Sequence, residues 1–204
     1  QAHDRFGRLD IVVNNAGYGL FGAIEEVSEE QARAQMETNY FGALWVTQAA
    51  LPYLREQGSG HILQVSSIGG IVAFPGIGLY HSSKWALEAM SDALAQEVAS
   101  FGIHVTLIEP GGFSTDWGGS SAAHATPLPV YDSMREGRAK RPTTAMRGDP
   151  AATSKAILTL VDSPNPPLRL FLGTPPLGIA RVAYEQRLKT WEEWDAVSKE
   201  AQGN

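Results

Sequence analysis

The stretch Gly76-Ile77-Gly78-Leu79-Tyr80-His81-Ser82-Ser83-Lys84 decides how the chain is read. Residues 76–79 are glycine-punctuated and form a loop. From Tyr80 the pattern turns helical, with Leu87, Met90, Leu94 and Val98 recurring at helical spacing as far as Phe101, and Gly102 closing the run. On such a helix Tyr80 and Lys84 lie one turn apart and share a face. A tyrosine hydroxyl ordinarily ionises near ~10. A neighbouring ammonium favours the phenolate, which makes the pair a candidate proton donor and acceptor. Tyrosine and lysine also meet at this spacing by chance, so the surroundings must carry the reading.

Thirteen residues before Tyr80 stands Ser67, just past an apolar strand, His61–Ser66, that contains Ile62, Leu63 and Val65. A second strand, Leu9–Val13, ends in the turn Asn14-Asn15-Ala16-Gly17; a third, Ile103–Ile108, ends in Glu109-Pro110-Gly111. Strands apolar on both faces and alternating with helices point to a parallel sheet covered on both sides. Ligands bind such sheets beyond the carboxyl ends of the strands. There the small Ala16 and Gly17 let a planar group approach the backbone.

Ser28–Arg55 reads as one long helix. Ser28 and Gln31 have capping-box spacing, Asn39 sits at mid-length, and Pro52 is placed to kink or shorten the end. Asp149-Pro150 opens a helix that runs to Val161, with Asp149 as cap. Arg169–Leu172 is a short final strand, and Leu177–Leu188 and Thr190–Glu200 are helical. Trp191 and Trp194 lie three apart, a spacing that favours packing over ligand binding. Between these elements residues 112–147 lack periodicity, as a functional lid or a disordered segment would. The later part of that segment is basic through Arg135, Arg138, Lys140, Arg141 and Arg147: a solvated helical face, or a site for an acidic substrate group.

Composition narrows the function. The 204 residues suit one domain, and the net charge of −6 is interspersed, which gives no support for nucleic-acid binding. Cysteine is absent, and the five histidines lack ligand spacing, so no metal site is expected. No apolar run approaches the ~20 residues that span a membrane, and a cytoplasmic protein without a membrane partner is expected. Ser67 lacks the Gly-x-Ser-x-Gly elbow of a serine hydrolase.

Asn14-Asn15-Ala16-Gly17, Asn39-Tyr40-Phe41-Gly42, Ser67, Tyr80-x-x-x-Lys84 and Pro110-Gly111 followed by Thr115 occur in an order and spacing that resemble the classical branch of the short-chain dehydrogenase/reductase family. The resemblance covers roughly residues 6–115. It implies an α/β doubly wound parallel sheet (Rossmann-like), of which this chain supplies the C-terminal part, about four strands with flanking helices. Residues 1–204 would be a single partial domain, with 112–147 its substrate loop. The family opens with a strand, a glycine-rich phosphate loop and a helix that this sequence lacks. The resemblance therefore implies an N-terminal truncation of roughly 70–80 residues, about three strand–helix units. Leu9–Val13 would then be an open apolar edge prone to association, and the polypeptide itself would be inactive and bind nucleotide poorly.

For the full-length parent the resemblance implies an NAD(P)-dependent oxidoreductase. It would move a hydride between nicotinamide and a carbonyl or secondary alcohol of a small apolar substrate. Tyr80 would exchange the proton, Lys84 would lower the pKa of Tyr80 and hold the nicotinamide ribose, Ser67 would polarise the substrate oxygen, and Asn39 would hold a relay water. Asn14, Ala16 and Gly17 would border the adenosine part, while Tyr80, Lys84, Pro110, Gly111 and Thr115 would meet the nicotinamide end. NADP is favoured over NAD, and the assembly would be a homodimer or homotetramer. The competing readings are a non-catalytic NAD(P)-sensing or scaffolding relative, an inactive fragment, and, within enzymes, a sugar-nucleotide epimerase or dehydratase, which shares Tyr-x-x-x-Lys.

Overall fold

A computed structural model describes residues 1–139 and 147–203. Helix α1 (Ala2–Phe6) stops at Gly7, whose φ of 74° is the left-handed conformation glycine adopts without a Cβ clash. Then come β1 (Ile11–Asn14), the two-residue β2 (Leu20–Phe21), α2 (Glu29–Met36), α3 (Gly42–Gln57) and β3 (Gly60–Val65). Helix α4 (Gly78–Val98) leads into β4 (Ile103–Pro110). The rest comprises β5 (Ala123–His124), α5 (Asp132–Ala139), α6 (Thr153–Val161), β6 (Arg169–Leu172), α7 (Pro175–Glu193) and α8 (Asp195–Glu200).

The main sheet is β1-β3-β4-β6, parallel throughout; β2 and β5 pair separately. Side chains alternate across a strand, so adjacent residues enter different cores. Ile62 joins Ala50, Leu54, Leu94, Val98, Ile103 and Val105 beneath α3 and α4. Its neighbour Leu63 joins Ile108, Leu160 and Leu172 beneath α6. Both faces are thus covered, as the doubly wound Rossmann-like expectation requires, and each such side chain contributes about 1.5–3 kcal/mol by leaving water. Asn14 lies opposite Gln64, and Val65 opposite Ile108. The turns after β1, β3 and β4 therefore gather along one end of the sheet. On its outer side β1 has no strand among the described residues, and Ile11 and Val13 are 46% and 53% exposed.

Several local expectations are corrected. The helix read over Ser28–Arg55 is interrupted by a π-helical turn, Glu37–Phe41, which turns Asn39 inward. Such a one-residue insertion has no residue-type signature in the sequence pattern. The capping box is present, with Ser28 N donating to Gln31 Oε1 (3.1 Å) and Gln31 N to Ser28 Oγ (3.2 Å). Pro52 does not end α3, which continues to Gln57 and closes at Gly58. A 3₁₀ turn precedes α6, and there Asp149 Oδ1 accepts from Ala151 N at 2.9 Å. Trp191 and Trp194 are exposed, not packed. In the expected lid, Arg135 is paired with Glu26 (2.5 Å) and Asp132 (2.7 Å). Lys140 and Arg141 lie outside the described residues.

Candidate active site

Ser67 leaves β3 in extended conformation and caps a 3₁₀ turn, Ile68–Gly70, its Oγ accepting from Gly69 N at 3.0 Å. That turn rests directly on α4. His81 Nδ1 lies 2.8 Å from Gly69 O. A Cβ on Gly69 would come within 2.5 Å of His81 Nδ1, and one on Gly70 within 2.6 Å of Ser66 Oγ. The two glycines thus let the serine turn approach the helix that bears Tyr80.

Tyr80 and Lys84 are both buried. Trp117 meets the Tyr80 ring edge-on, with centroids 4.9 Å apart, and itself contacts Phe21 at 5.4 Å. Burial pushes the Tyr80 phenol above its ordinary value, and the adjoining Ser67 hydroxyl opposes that shift. This corrects the expectation of a phenol lowered by Lys84. Lys84 Nζ donates to Val65 O at 2.8 Å and lies 5.9 Å from the Tyr80 ring centre. Burial brings Lys84 itself down to about 8, against Glu88, which supports the ammonium. Enclosure disfavours the charged form of each partner, and in both it is the largest influence.

The Asn39 amide ties the loop after β1 to α4. Its Oδ1 accepts from Tyr18 N (3.0 Å), while Nδ2 donates to Tyr18 O (3.1 Å) and Ser83 Oγ (3.0 Å). With both amide hydrogens engaged, the side chain braces the loop against the helix. Asn14 is turned into the interior, Nδ2 facing Gln64 Oε1 (2.9 Å), Thr47 Oγ1 (3.0 Å) and Ala43 O (3.4 Å). It braces β1 against β3 and α3. Ala16 and Gly17 are exposed beyond β1. A Cβ on Gly17 would sit 3.2 Å from Asn39 Oδ1 and 3.3 Å from Lys84 Nζ.

Pro110 and Gly111 close β4, with Gly111 N donating to Leu172 O at 2.9 Å. Thr115 is exposed, and its Oγ1 accepts from Trp117 N at 3.4 Å. The fold thus brings Gly17, Asn39, Ser67, Tyr80 and Lys84 together, with Pro110-Gly111 on a neighbouring strand end. A buried ammonium beside small, backbone-exposing turns at the carboxyl end of a parallel sheet suits the sugar and ring of a nicotinamide dinucleotide. Beyond Phe21 opens a cavity of about 380 Å³, lined by Ala23, His124, Ala125, Pro127 and Met134 among others.

Sequence reasoning missed Trp117, His81, Ser66, Glu88 and Glu109. The two glutamates had a signal: each is an acid in an otherwise apolar pattern, one turn after Lys84 and at the end of a core strand. Trp117 had none, because its contact with Tyr80 spans a loop.

The short chain dehydrogenase family model matches residues 1–125. An oxidoreductase of Botryotinia fuckeliana, BOA17, is 41% identical over 199 residues, which is 96% of this chain and 73% of that protein. The crystal structure of a short-chain dehydrogenase from Streptomyces avermitilis superposes with a TM-score of 0.88 at 37% identity, covering 98% of this chain and 74% of that one. An alcohol dehydrogenase from the archaeon Thermococcus sibiricus, in complex with 5-hydroxy-NADP, superposes with a TM-score of 0.68 at 28% identity, covering 84% of this chain and 65% of that one.

Proposed function

The chain belongs to the short-chain dehydrogenase family, a family of oxidoreductases, and from that premise we propose that it serves hydride transfer between NAD(P) and the carbonyl or carbinol carbon of a small apolar substrate. The observation that carries this reading is the convergence of Ser67, Tyr80 and Lys84 from a strand end and a helix start. The bound dinucleotide supplies or accepts the hydride. The protein's own groups handle the oxygen. Ser67 Oγ accepts from Gly69 N, and its O–H, which adjoins the Tyr80 hydroxyl, would turn to donate to the substrate oxygen. Tyr80 gives that oxygen its proton in reduction and takes it back in oxidation. Its raised pKa suits a proton donor that stays protonated until reaction. Lys84 spends one N–H on Val65 O and keeps two for the ribose hydroxyls. Ala16, Gly17, Pro110, Gly111 and Thr115 would border the dinucleotide, while Asn14 and Asn39 hold the floor beneath it.

NADP is the favoured cofactor, on the strength of the nucleotide bound by the Thermococcus enzyme. An apolar substrate fits the lining of the cavity beyond Phe21. Assembly into a homodimer or homotetramer fits the exposed Trp45 on α3 and Trp85 on α4.

Replacing Tyr80 by Phe tests the reading. Turnover in NADPH-dependent carbonyl reduction should fall by ~10²–10⁴-fold, while nucleotide affinity, followed by fluorescence, stays unchanged. Activity retained within a factor of a few would overturn the assignment.

A further inference from the structure

Below the Tyr80–Lys84 face, α4 carries a second polar layer that hydride transfer does not use. Glu88, one turn after Lys84, is buried opposite Glu109, the penultimate residue of β4, which is fully enclosed. Arg169, at the start of β6, reaches both. Its Nε donates to Glu88 Oε2 at 3.3 Å and lies 3.6 Å from Glu109 Oε1, while Nη2 donates to Asp92 Oδ2 at 2.8 Å. One guanidinium thus faces three carboxylates. Glu88 Oε1, both oxygens of Glu109 and Ser66 Oγ are buried and make no hydrogen bond of good geometry, although Ser66 and Glu109 both adjoin Glu88. Gly70 permits this crowding, since a Cβ there would come within 2.9 Å of Glu88 Cγ.

Buried oxygens left unmatched are costly. Two enclosed carboxylates sharing one cation do not both keep full charge; one proton between them satisfies two oxygens at once. The groups facing the pair are Lys84 and Asp92 from α4, Arg169 from β6, and the Ser66 hydroxyl after β3.

We propose that Glu88 and Glu109 share a single proton and act together as positioning residues that set the charge of Lys84. The inference rests on the reading of Lys84 as an active-site ammonium. With the proton on Glu109, Glu88 is anionic and sustains the ammonium. With the proton on Glu88, Lys84 loses that support. Burial raises both carboxyls, Glu109 to about 8, and the Glu88 charge adds to the rise at Glu109. Lys84 also stands near 8, so Lys84 and Glu109 titrate in one window, and Glu88 is raised towards it by burial.

The chain has five lysines, few enough to follow individually by carbon-13 labelling of the ε-carbon and NMR. The Lys84 signal, identified by its loss in Lys84→Met, should titrate with a midpoint of about 8. Glu88→Gln should lower that midpoint by about one pH unit, because the supporting anion is gone. Glu109→Gln should raise it by about as much, because Glu88 then keeps its charge. A midpoint left in place by either variant, or moved the same way by both, overturns the proposal. Should a variant fail to fold, the unsubstituted protein decides. With labelled glutamate, one carboxyl still protonated at about pH 7 supports the shared proton; all carboxyls ionised below about pH 6 refutes it. None of these measurements needs cofactor or substrate, so their failure is distinct from failure of the hydride-transfer reading. Where turnover is measured, the alkaline limb of kcat/KM should move with the Lys84 midpoint.

Discussion

At the amino ends of β3 and β4, Ile62, Ile103 and Val105 press against Leu54, Leu94 and Val98. At the carboxyl ends of the same strands stand Gln64, Ser66 and Glu109, packed with Asn14, Lys84 and Glu88. Leu54 and Gln64 are equally enclosed, each with no accessible surface. Burial therefore does not distinguish the two ends; what it does to free energy does. Apolar contacts gain from leaving water, whereas each polar group loses unless it is matched. Gln64 is matched, donating to Thr47 Oγ1 at 3.0 Å and accepting from Asn14. Glu88, Glu109 and Ser66 are incompletely matched, and they adjoin the proposed chemistry. The amino end of the sheet holds the apolar core, and the carboxyl end carries the raised carboxyls and the lowered lysine beside the proposed site.

The largest stability effect expected from this contrast is at the apolar end. Leu54→Ala should lose ~2–5 kcal/mol of stability in urea denaturation, the range for a leucine removed from a packed core. Turnover per folded molecule and the Lys84 midpoint should not change. A shifted midpoint would show that the two ends are coupled rather than independent.

A pH scan separates the ends by sign. His61, at the amino end of β3, is brought down to about 4, chiefly by burial and further by His104. Its folded pKa lies below the unfolded one, so its contribution is present above about 6.5 and is lost as pH falls towards 4, roughly 3 kcal/mol at 1.36 kcal/mol per unit. Glu109 behaves oppositely. Its folded pKa of about 8 lies above the unfolded 4.5, so its contribution is full below 4.5 and is lost as pH rises through 8. In thermal denaturation across pH, His61→Gln should flatten the acid loss and Glu109→Gln the loss towards pH 8. If one variant flattened both limbs, the distinction between the ends would collapse.

The smallest effect sets the baseline. The Arg33–Glu29 pair on α2, 2.7 Å long and exposed at both partners, belongs to neither end. Arg33→Ala should change stability by no more than about 0.5 kcal/mol in the same urea assay. A larger loss would mean that the surface, and not the two buried layers, governs stability.

What the sequence determined by itself is what depends on neighbours along the chain. Ser28 and Gln31 cap a helix because they are three apart, Gly7 and Gly102 end helical segments because glycine adopts positive φ, and Tyr80 and Lys84 share a face because an α-helix repeats every 3.6 residues. Strand character over Arg169–Leu172 was readable for the same local reason. The tertiary structure decided everything that required distant segments to meet. It fastened Asn39 to Tyr18 and Ser83, closed Val65 O onto Lys84, set Trp117 against Tyr80 and drew Glu88, Glu109 and Arg169 together. It also reversed the expected pKa shift of Tyr80, because a proton's affinity depends on the dielectric and charges around it in space. Residue identity and spacing give the reference value and the local partner; how much water is excluded is fixed only when the strands and helices pack.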